Sequence, residues 1–184
     1  QIISNNFLIF YFLFWCIRFI NIDQPILEGA GFRQILTASV SKFLFVEGIS
    51  LERILYPKMY MDDRSTYYLI EMPLYNSLMA LLCKIYGGYE EWIGRFISIL
   101  FAGLAGIYFY FFLINHASER IAKIALIIYG LSPLSIIYTR AIQPNPSMLF
   151  FFIGTIFYYD NYLRDSRWKT FFKTMIFGAL LFLL

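Results

Sequence analysis

The chain has 184 residues, of which 60% are hydrophobic, 21% aromatic and 15% charged, with a formal net charge of +3. Its mean hydropathy is +0.63. An ordinary globular domain is roughly half apolar, so this composition argues against a simple soluble domain and makes lipid the solvent for most of the chain. The small net charge carries no signature of nucleic-acid binding, and the basic residues are more useful for topology.

The two cysteines, Cys16 and Cys83, form no CxxC pair and sit in apolar runs, so they read as buried free thiols. The single histidine, His116, has no neighbouring cysteine or acid pair to make a metal site. The chain does not begin with Met and ends inside an apolar run, which reads as the N-terminal part of a longer protein. Residues 2–20 lack a basic n-region and a cleavage site, so they read as a retained first membrane helix rather than a signal peptide.

In chain order, the first span is expected over residues 3–20, with Arg18 near its end, snorkelling to the interface. A polar stretch follows from Asn21, rich in glycine, proline and acids. From Phe32 the pattern turns helical. Phe32, Ile35, Leu36, Val40, Phe43 and Leu44 form an apolar face, and Arg33, Gln34, Thr37, Ser41 and Lys42 form a polar one. That is an amphipathic helix suited to lie on a membrane, stopped near Gly48. Residues 49–67 read as a polar loop.

Residues 68–87 are apolar enough to be mistaken for a second span. Pro73 suits a helix start and Gly87-Gly88 a helix end. The roughly 20 Å of helix between them is short of the ~30 Å hydrocarbon core. A one-sided stripe of Leu74, Leu78, Leu81, Leu82 and Ile85 makes it a second juxtamembrane helix. Further spans are expected over 92–114, 121–138, 147–162 and 172–184, with Arg95 just inside the first of these and glycines 103 and 106 allowing close helix packing.

Charge supports the same topology. The turns at 115–123 and 163–173 carry Arg120, Lys123, Arg164, Arg167, Lys169 and Lys173, whereas the turn between them has only Arg140. The positive-inside rule puts the two basic turns in the cytoplasm. Residues 21–91 and 139–146 then become outer loops on one side. The expected fold is all-α: a polytopic transmembrane bundle with a long first outer loop carrying juxtamembrane helices, all within a single domain over 1–184.

Candidate chemistry gathers in those loops. Glu28 lies just before a helix N-terminus, followed closely by Gly29 and Gly31, where the dipole and free amides favour an ionised carboxylate. Such a group can accept a proton from an acceptor hydroxyl. A helix cap or a solvated acid is the plain alternative. Arg33 and Gln34 on the first outer loop, with Arg140, Gln143 and Asn145 on the second, suit a phosphate. Glu71, before Pro73, is placed to orient a sugar or pair with an arginine. Asp62 and Asp63 read as a solvated turn rather than a divalent-ion site. No phosphate-cradling glycine loop, nucleophile elbow or zinc pattern is present.

Leu27-Glu28-Gly29, Phe32-Arg33-Gln34 with Thr37, Glu71-x-Pro73-Leu74-Tyr75, Gly94-Arg95, Ser132-Pro133 and Tyr138-x-Arg140-x-x-Gln143-Pro144 resemble, in that order, membrane glycosyltransferases of the GT-C type. Within that type the chain resembles the dolichyl-phosphate-mannose protein mannosyltransferases and their bacterial relatives, including the aminoarabinose lipid A transferases. The resemblance implies transfer of a sugar from a polyprenyl-phosphate donor to a lipid, glycan or protein acceptor, with inversion, at the outer face of a membrane. A prokaryotic cytoplasmic membrane is the expected location. It implies Glu28 as general base and Arg140 at the donor phosphate, with no cofactor and divalent-metal dependence left open. The chain departs from the family in having Glu28 where aspartate is usual, which keeps Asp23 as a second candidate. It also has Ala30 where close relatives often have histidine, and Asn145 where an acid is common. A non-catalytic membrane protein, such as a transporter subunit or scaffold, is the alternative. It would place polar groups at mid-depth in the spans, whereas here they gather at the outer ends.

Overall fold

The computed structural model describes residues 11, 15–26, 31–61, 64–68 and 71–184. Most of the first expected span, and Glu28, Ala30, Asp62 and Asp63, lie outside these residues.

The chain is mainly helical, with one small sheet. A 3-10 turn, Cys16–Phe19, leads into further turns over residues 20–23. Helix α1 is Gly31–Glu47 and α2 is Leu51–Leu55. Strands β1, Lys58–Met61, and β2, Arg64–Tyr67, pair antiparallel with Lys58 opposite Tyr67. Helix α3 is Leu74–Tyr86 and α4 is Glu91–His116. Then come α5, Glu119–Leu131; α6, Pro133–Arg140; α7, Asn145–Asp165; and α8, Trp168–Leu183.

Local chemistry sets these boundaries. Pro73 precedes the first residue of α3, and Gly87 ends it in the left-handed region at φ +94°. Only glycine adopts that conformation without strain. The amides of Gly87 and Gly88 then both reach the carbonyl of Cys83, at 3.0 and 3.2 Å. The Ser118 hydroxyl caps α5 by accepting from the amide of Ile121. Pro133 has no N–H to give and starts a new helix.

Helix α4 is the axis of the molecule. Its 26 residues span roughly 39 Å at 1.5 Å each. Tyr11 donates to the carbonyl of Gly103 and Trp15 to that of Ile99, both at 3.0 Å, so these two side chains lie against α4. Tyr108 of α4 meets Phe150 and Tyr158 of α7 and Phe177 of α8 in one aromatic cluster. A Cβ on Gly154 would run into the ring of Phe177, so this glycine lets α8 close on α7.

Among the described residues, α4 alone is long and apolar enough by itself to cross a membrane. Helices α5 and α6 meet the same measure together but are bent by 62°. The expected continuous span 121–138 is therefore broken at Ser132-Pro133. Helix α7 falls short on that measure, and α8 has only 16 residues.

Four other expectations need correcting. Residues 49–67 are not a loop: they form α2 and a hairpin. The β1 strand is held by Ser39, whose hydroxyl donates to the Tyr60 carbonyl at 2.7 Å. Arg18 does not snorkel. It is 1% exposed and donates to the Thr139 hydroxyl at 2.9 Å and the Gly130 carbonyl at 2.8 Å, at the α5–α6 break. The guanidinium also stacks on the Trp15 ring.

On α1 the buried set is Gln34, Thr37, Ala38, Val40, Ser41, Phe43 and Leu44, while Phe32 and Ile35 face outward. Three of the five expected polar residues, Gln34, Thr37 and Ser41, turn inward, where polar partners reach the helix: the Asn76 amide donates to the Thr37 carbonyl at 2.8 Å and the Tyr89 hydroxyl to the Ala38 carbonyl at 2.7 Å. On α3 the buried face is Tyr75, Asn76, Met79, Ala80 and Cys83, and Leu81 and Ile85 of the expected stripe are exposed. Their apolar side chains look away from the protein core.

Candidate active site

The two polar breaks of the sequence meet at the Glu91 end of α4. The loop after α6 is held there by three elements. Ser98 of α4 donates to the Ala141 carbonyl at 2.7 Å. Tyr75 of α3 donates to the Gly94 carbonyl at 2.7 Å, and its hydroxyl lies 2.9 Å from that of Ser98. The side-chain oxygen of Gln34, at the start of α1, accepts from the Ile142 amide at 3.1 Å. Burial pushes the Tyr75 hydroxyl well above its ordinary pKa, so it stays protonated as a donor.

Close approach needs Gly94. A Cβ there would lie 2.8 Å from both Cγ2 of Ile142 and Sδ of Met79. Ile142 is fully buried and Gln143 is 1% exposed, so this loop is part of the core. Burial of so much loop backbone is tolerable because its amides and carbonyls have partners.

Arg33 and Glu71 form an ion pair at 2.6 Å. Burial raises the Glu71 carboxyl above the usual carboxylate pKa, and the Arg33 guanidinium offsets part of that rise. The pair lines a cavity of about 640 Å³ with Asn145, Met72, Met148 and the end of α8. Its lining is charged and polar at Arg33, Glu71 and Asn145, and apolar at the methionines, Phe182 and the two leucines. Such a cavity accommodates a ligand with an anionic head and an apolar tail.

Arg140 donates to the carbonyls of Ile20 at 2.8 Å and Asn21 at 3.3 Å, closing the turn where Asn21 adopts φ +55°. Arg95, 4% exposed within α4, donates to the carbonyls of Ile22, Gln24 and Pro25, the last at 3.3 Å. Neither arginine's contacts were read from sequence. The signal was present in Arg95 and Ser98, polar residues set in an otherwise apolar helix.

Glu28 lies outside the described residues, three positions after Pro25 and three before α1 begins. Asp23 is exposed and lines a second cleft of about 730 Å³ with Lys42, Tyr89, Glu90, Glu91 and Trp92. The structure thus brings Arg33, Glu71 and Asn145 to one cavity and joins Gln34 to the Gln143 loop. Arg140 is engaged with the entry of the first loop. Three buried nitrogens have no hydrogen-bond partner among the described residues: Nε of Arg33, Nε of Arg140 and Nε2 of Gln143. No group of three or more His, Cys, Asp or Glu able to hold a metal occurs among the described residues.

A mainly helical chain with one helix long and apolar enough to cross a membrane, and a part-charged, part-apolar cavity between its two polar breaks, is consistent with a membrane protein. The model of the dolichyl-phosphate-mannose-protein mannosyltransferase family matches residues 71–184. The chain belongs to that family, which is membrane-embedded, and is in general terms a membrane glycosyltransferase. The match covers Glu71, Arg140 and Gln143, and begins after Glu28, Arg33 and Gln34. No curated protein and no solved structure matches the chain significantly.

Proposed function

We propose that the protein transfers a sugar from a polyprenyl-phosphate donor to an acceptor hydroxyl at the outer face of a membrane, with inversion at the anomeric carbon. The observation that carries this reading is the cavity between Arg33–Glu71, Asn145 and the methionine and leucine side chains of 72, 148, 183 and 184. The donor phosphate meets Arg33, whose Nε lacks a partner, and the isoprenoid tail follows the apolar wall. Helices α4 to α8 cross the bilayer, with α5 and α6 as one bent crossing. Helices α1 and α3 rest at the outer surface, their exposed Phe32, Ile35, Leu81 and Ile85 dipping into lipid.

In the reaction, Glu28 accepts the proton of the acceptor hydroxyl. The freed oxygen attacks the anomeric carbon from the face opposite the phosphate. The bond from that carbon to the phosphate oxygen breaks, and the polyprenyl phosphate leaves with the electron pair. Arg33 stabilises the charge that builds on the leaving phosphate. Gln34 and Gln143 hold the two loops around the donor, Glu71 orients Arg33, and Arg140 closes the turn leading to the first loop.

Membranes carrying the full-length protein test the donor class. Labelled sugar should pass to an acceptor from a polyprenyl-phosphate donor and not from the same sugar on a nucleotide. Transfer from the nucleotide sugar in washed membranes free of polyprenyl phosphate would refute it.

A further inference from the structure

The antiparallel register of the hairpin puts Lys58 opposite Tyr67 and Tyr60 opposite Ser65. Side chains two apart on a strand share a face, so these four stand on one side of it. That side, with the end of α1 and with α2, bounds an open cavity of about 570 Å³. The cavity is separate from the one at Arg33. No residue lines both, and from Arg33 to Glu47 on α1 the helix rises roughly 21 Å at 1.5 Å per residue.

Contacts on every side hold its walls in place. Ser39 anchors β1 to α1 through the Tyr60 carbonyl. The Tyr60 hydroxyl donates to Oε1 of Glu47 at 3.2 Å, and its ring meets the buried Phe43 edge-on, with centroids 5.5 Å apart. Ser50 caps α2 by accepting from the Arg53 amide at 3.3 Å. The Arg53 guanidinium donates to the Gly48 carbonyl at 3.1 Å and lies 4.0 Å from Oε2 of Glu47. Nζ of Lys58 sits 4.8 Å from the centroid of the Tyr67 ring and orients it.

The charges around this cavity cancel, Glu47 and Glu52 against Arg53 and Lys58. An anionic or a cationic ligand would meet a repelling group beside each attracting one. What remains on offer is a close array of acceptors and donors from carboxylates, a guanidinium and hydroxyls, set beside tyrosine rings. Tyr56 and Tyr67 are 59% and 64% exposed, and a large ring left in water gains by being covered. Hydrocarbon is a poor cover, because the four charged side chains beside the rings would lose their water. A neutral polyhydroxylated ring suits both demands. Its C–H face covers an aromatic ring, and its neighbouring hydroxyls donate to carboxylates and accept from the guanidinium.

We propose that the cavity between the hairpin, the end of α1 and α2 is a binding site for a neutral saccharide. Tyr56 and Tyr67 are its ring platforms, and Glu47, Glu52 and Arg53 are its hydroxyl partners. The proposal is independent of the donor class and of the base, since binding here is read without turnover.

The experiment is titration of the full-length protein, purified in a detergent that carries no sugar, with maltotriose, mannotriose and tri-N-acetylchitotriose. Calorimetry gives Kd, and saturation-transfer NMR reports contact with aromatic protons. At least one trisaccharide should bind with a millimolar or lower Kd. Tyr56→Ala and Tyr67→Ala should each weaken it about tenfold, and Glu52→Gln by roughly three- to tenfold. Tyr67→Phe, which keeps the ring, should stay within about threefold of the wild type. Tyr86→Ala removes a ring that is 60% exposed but lies outside the cavity, and should leave Kd unchanged. Thermal midpoints report folding, and Tyr67→Leu, which keeps bulk without the ring, replaces any alanine variant that does not fold.

No binding of any of the three trisaccharides overturns the proposal. So does binding that Tyr56→Ala, Tyr67→Ala and Glu52→Gln leave untouched, which would place the sugar elsewhere. Saturation by an extended hexapeptide of mixed charge, with no trisaccharide bound, would make the cavity a peptide groove and overturn it as well.

Discussion

The side-chain oxygen of Gln34 accepts a hydrogen bond from the backbone amide of Ile142 at 3.1 Å, across 108 positions of sequence. It joins the start of α1 to the loop between α6 and α7, and both residues are buried. The contact makes the two polar breaks one structure and gives the cavity beside Arg33 two walls of fixed relative position.

Replacing Gln34 by leucine should therefore strand the buried Ile142 amide. An unsatisfied buried donor costs roughly 1–3 kcal/mol. The thermal midpoint of the purified protein should fall, and donor KM should rise as the loops separate. Gln34→Glu keeps an acceptor but buries a charge, and should also lose stability. An unchanged midpoint in both variants would mean the tie has no structural weight.

The Arg33–Glu71 pair gives a pH signature. The Glu71 carboxyl has a raised pKa because burial outweighs the help from Arg33. A raised folded-state value means that the native state favours the protonated form. Its contribution to stability is present below the ordinary carboxylate pKa and is lost as pH rises through the folded-state value. Relative to Glu71→Gln, the wild type should lose stability as pH is raised from about 4 toward neutrality. Arg33→Gln should move that loss to higher pH and enlarge it. Thermal midpoints across this range for the three proteins check the sign, and a wild type that gains on Glu71→Gln with rising pH would reverse it.

Gly94 should tolerate no larger side chain. A Cβ there meets Ile142 and Met79, both fully buried, at 2.8 Å. Overpacking of this kind costs about 1–3 kcal/mol. Gly94→Ala should lower the thermal midpoint and reduce activity by shifting the 141–143 loop. Gly88→Ala, where a Cβ meets nothing within 4 Å, is the control and should leave both unchanged.

A cysteine in place of Tyr86, at the end of α3 and 60% exposed, tests the topology. In intact cells it should react with a membrane-impermeant maleimide from outside. Reactivity only after the cytoplasmic side is opened would mean that α3 crosses the bilayer.

Much of this arrangement was legible in sequence, for local reasons. Pro73 and Gly87 bound α3 because one lacks an amide donor and the other adopts positive φ cheaply. The long apolar run behind Trp92 reads directly as α4. What was not legible depends on partners distant in sequence. Arg18 reads as a snorkelling residue until Thr139 and Gly130 are seen beside it. The inward turn of Thr37 and Ser41 on α1 follows from Asn76 and Tyr89, which reach its backbone from elsewhere. The hairpin at 58–67 was hidden because a four-residue strand of exposed polar side chains has no apolar alternation to reveal it. Of the site, residue types in order pointed to Arg33, Gln34, Glu71, Arg140 and Gln143. Their division into a cavity pair, a loop tie and a turn clamp needed coordinates.

The central claim is that Glu28 is the base of a sugar transfer from a polyprenyl phosphate. Its most direct test is the initial rate of labelled-sugar transfer by full-length Glu28→Gln and Asp23→Asn proteins, each at wild-type expression and thermal midpoint. The account predicts a loss of ~10²–10⁴-fold in kcat for Glu28→Gln, little change in donor KM, and near wild-type turnover for Asp23→Asn. Wild-type turnover in Glu28→Gln with loss in Asp23→Asn would contradict it and move the base to Asp23.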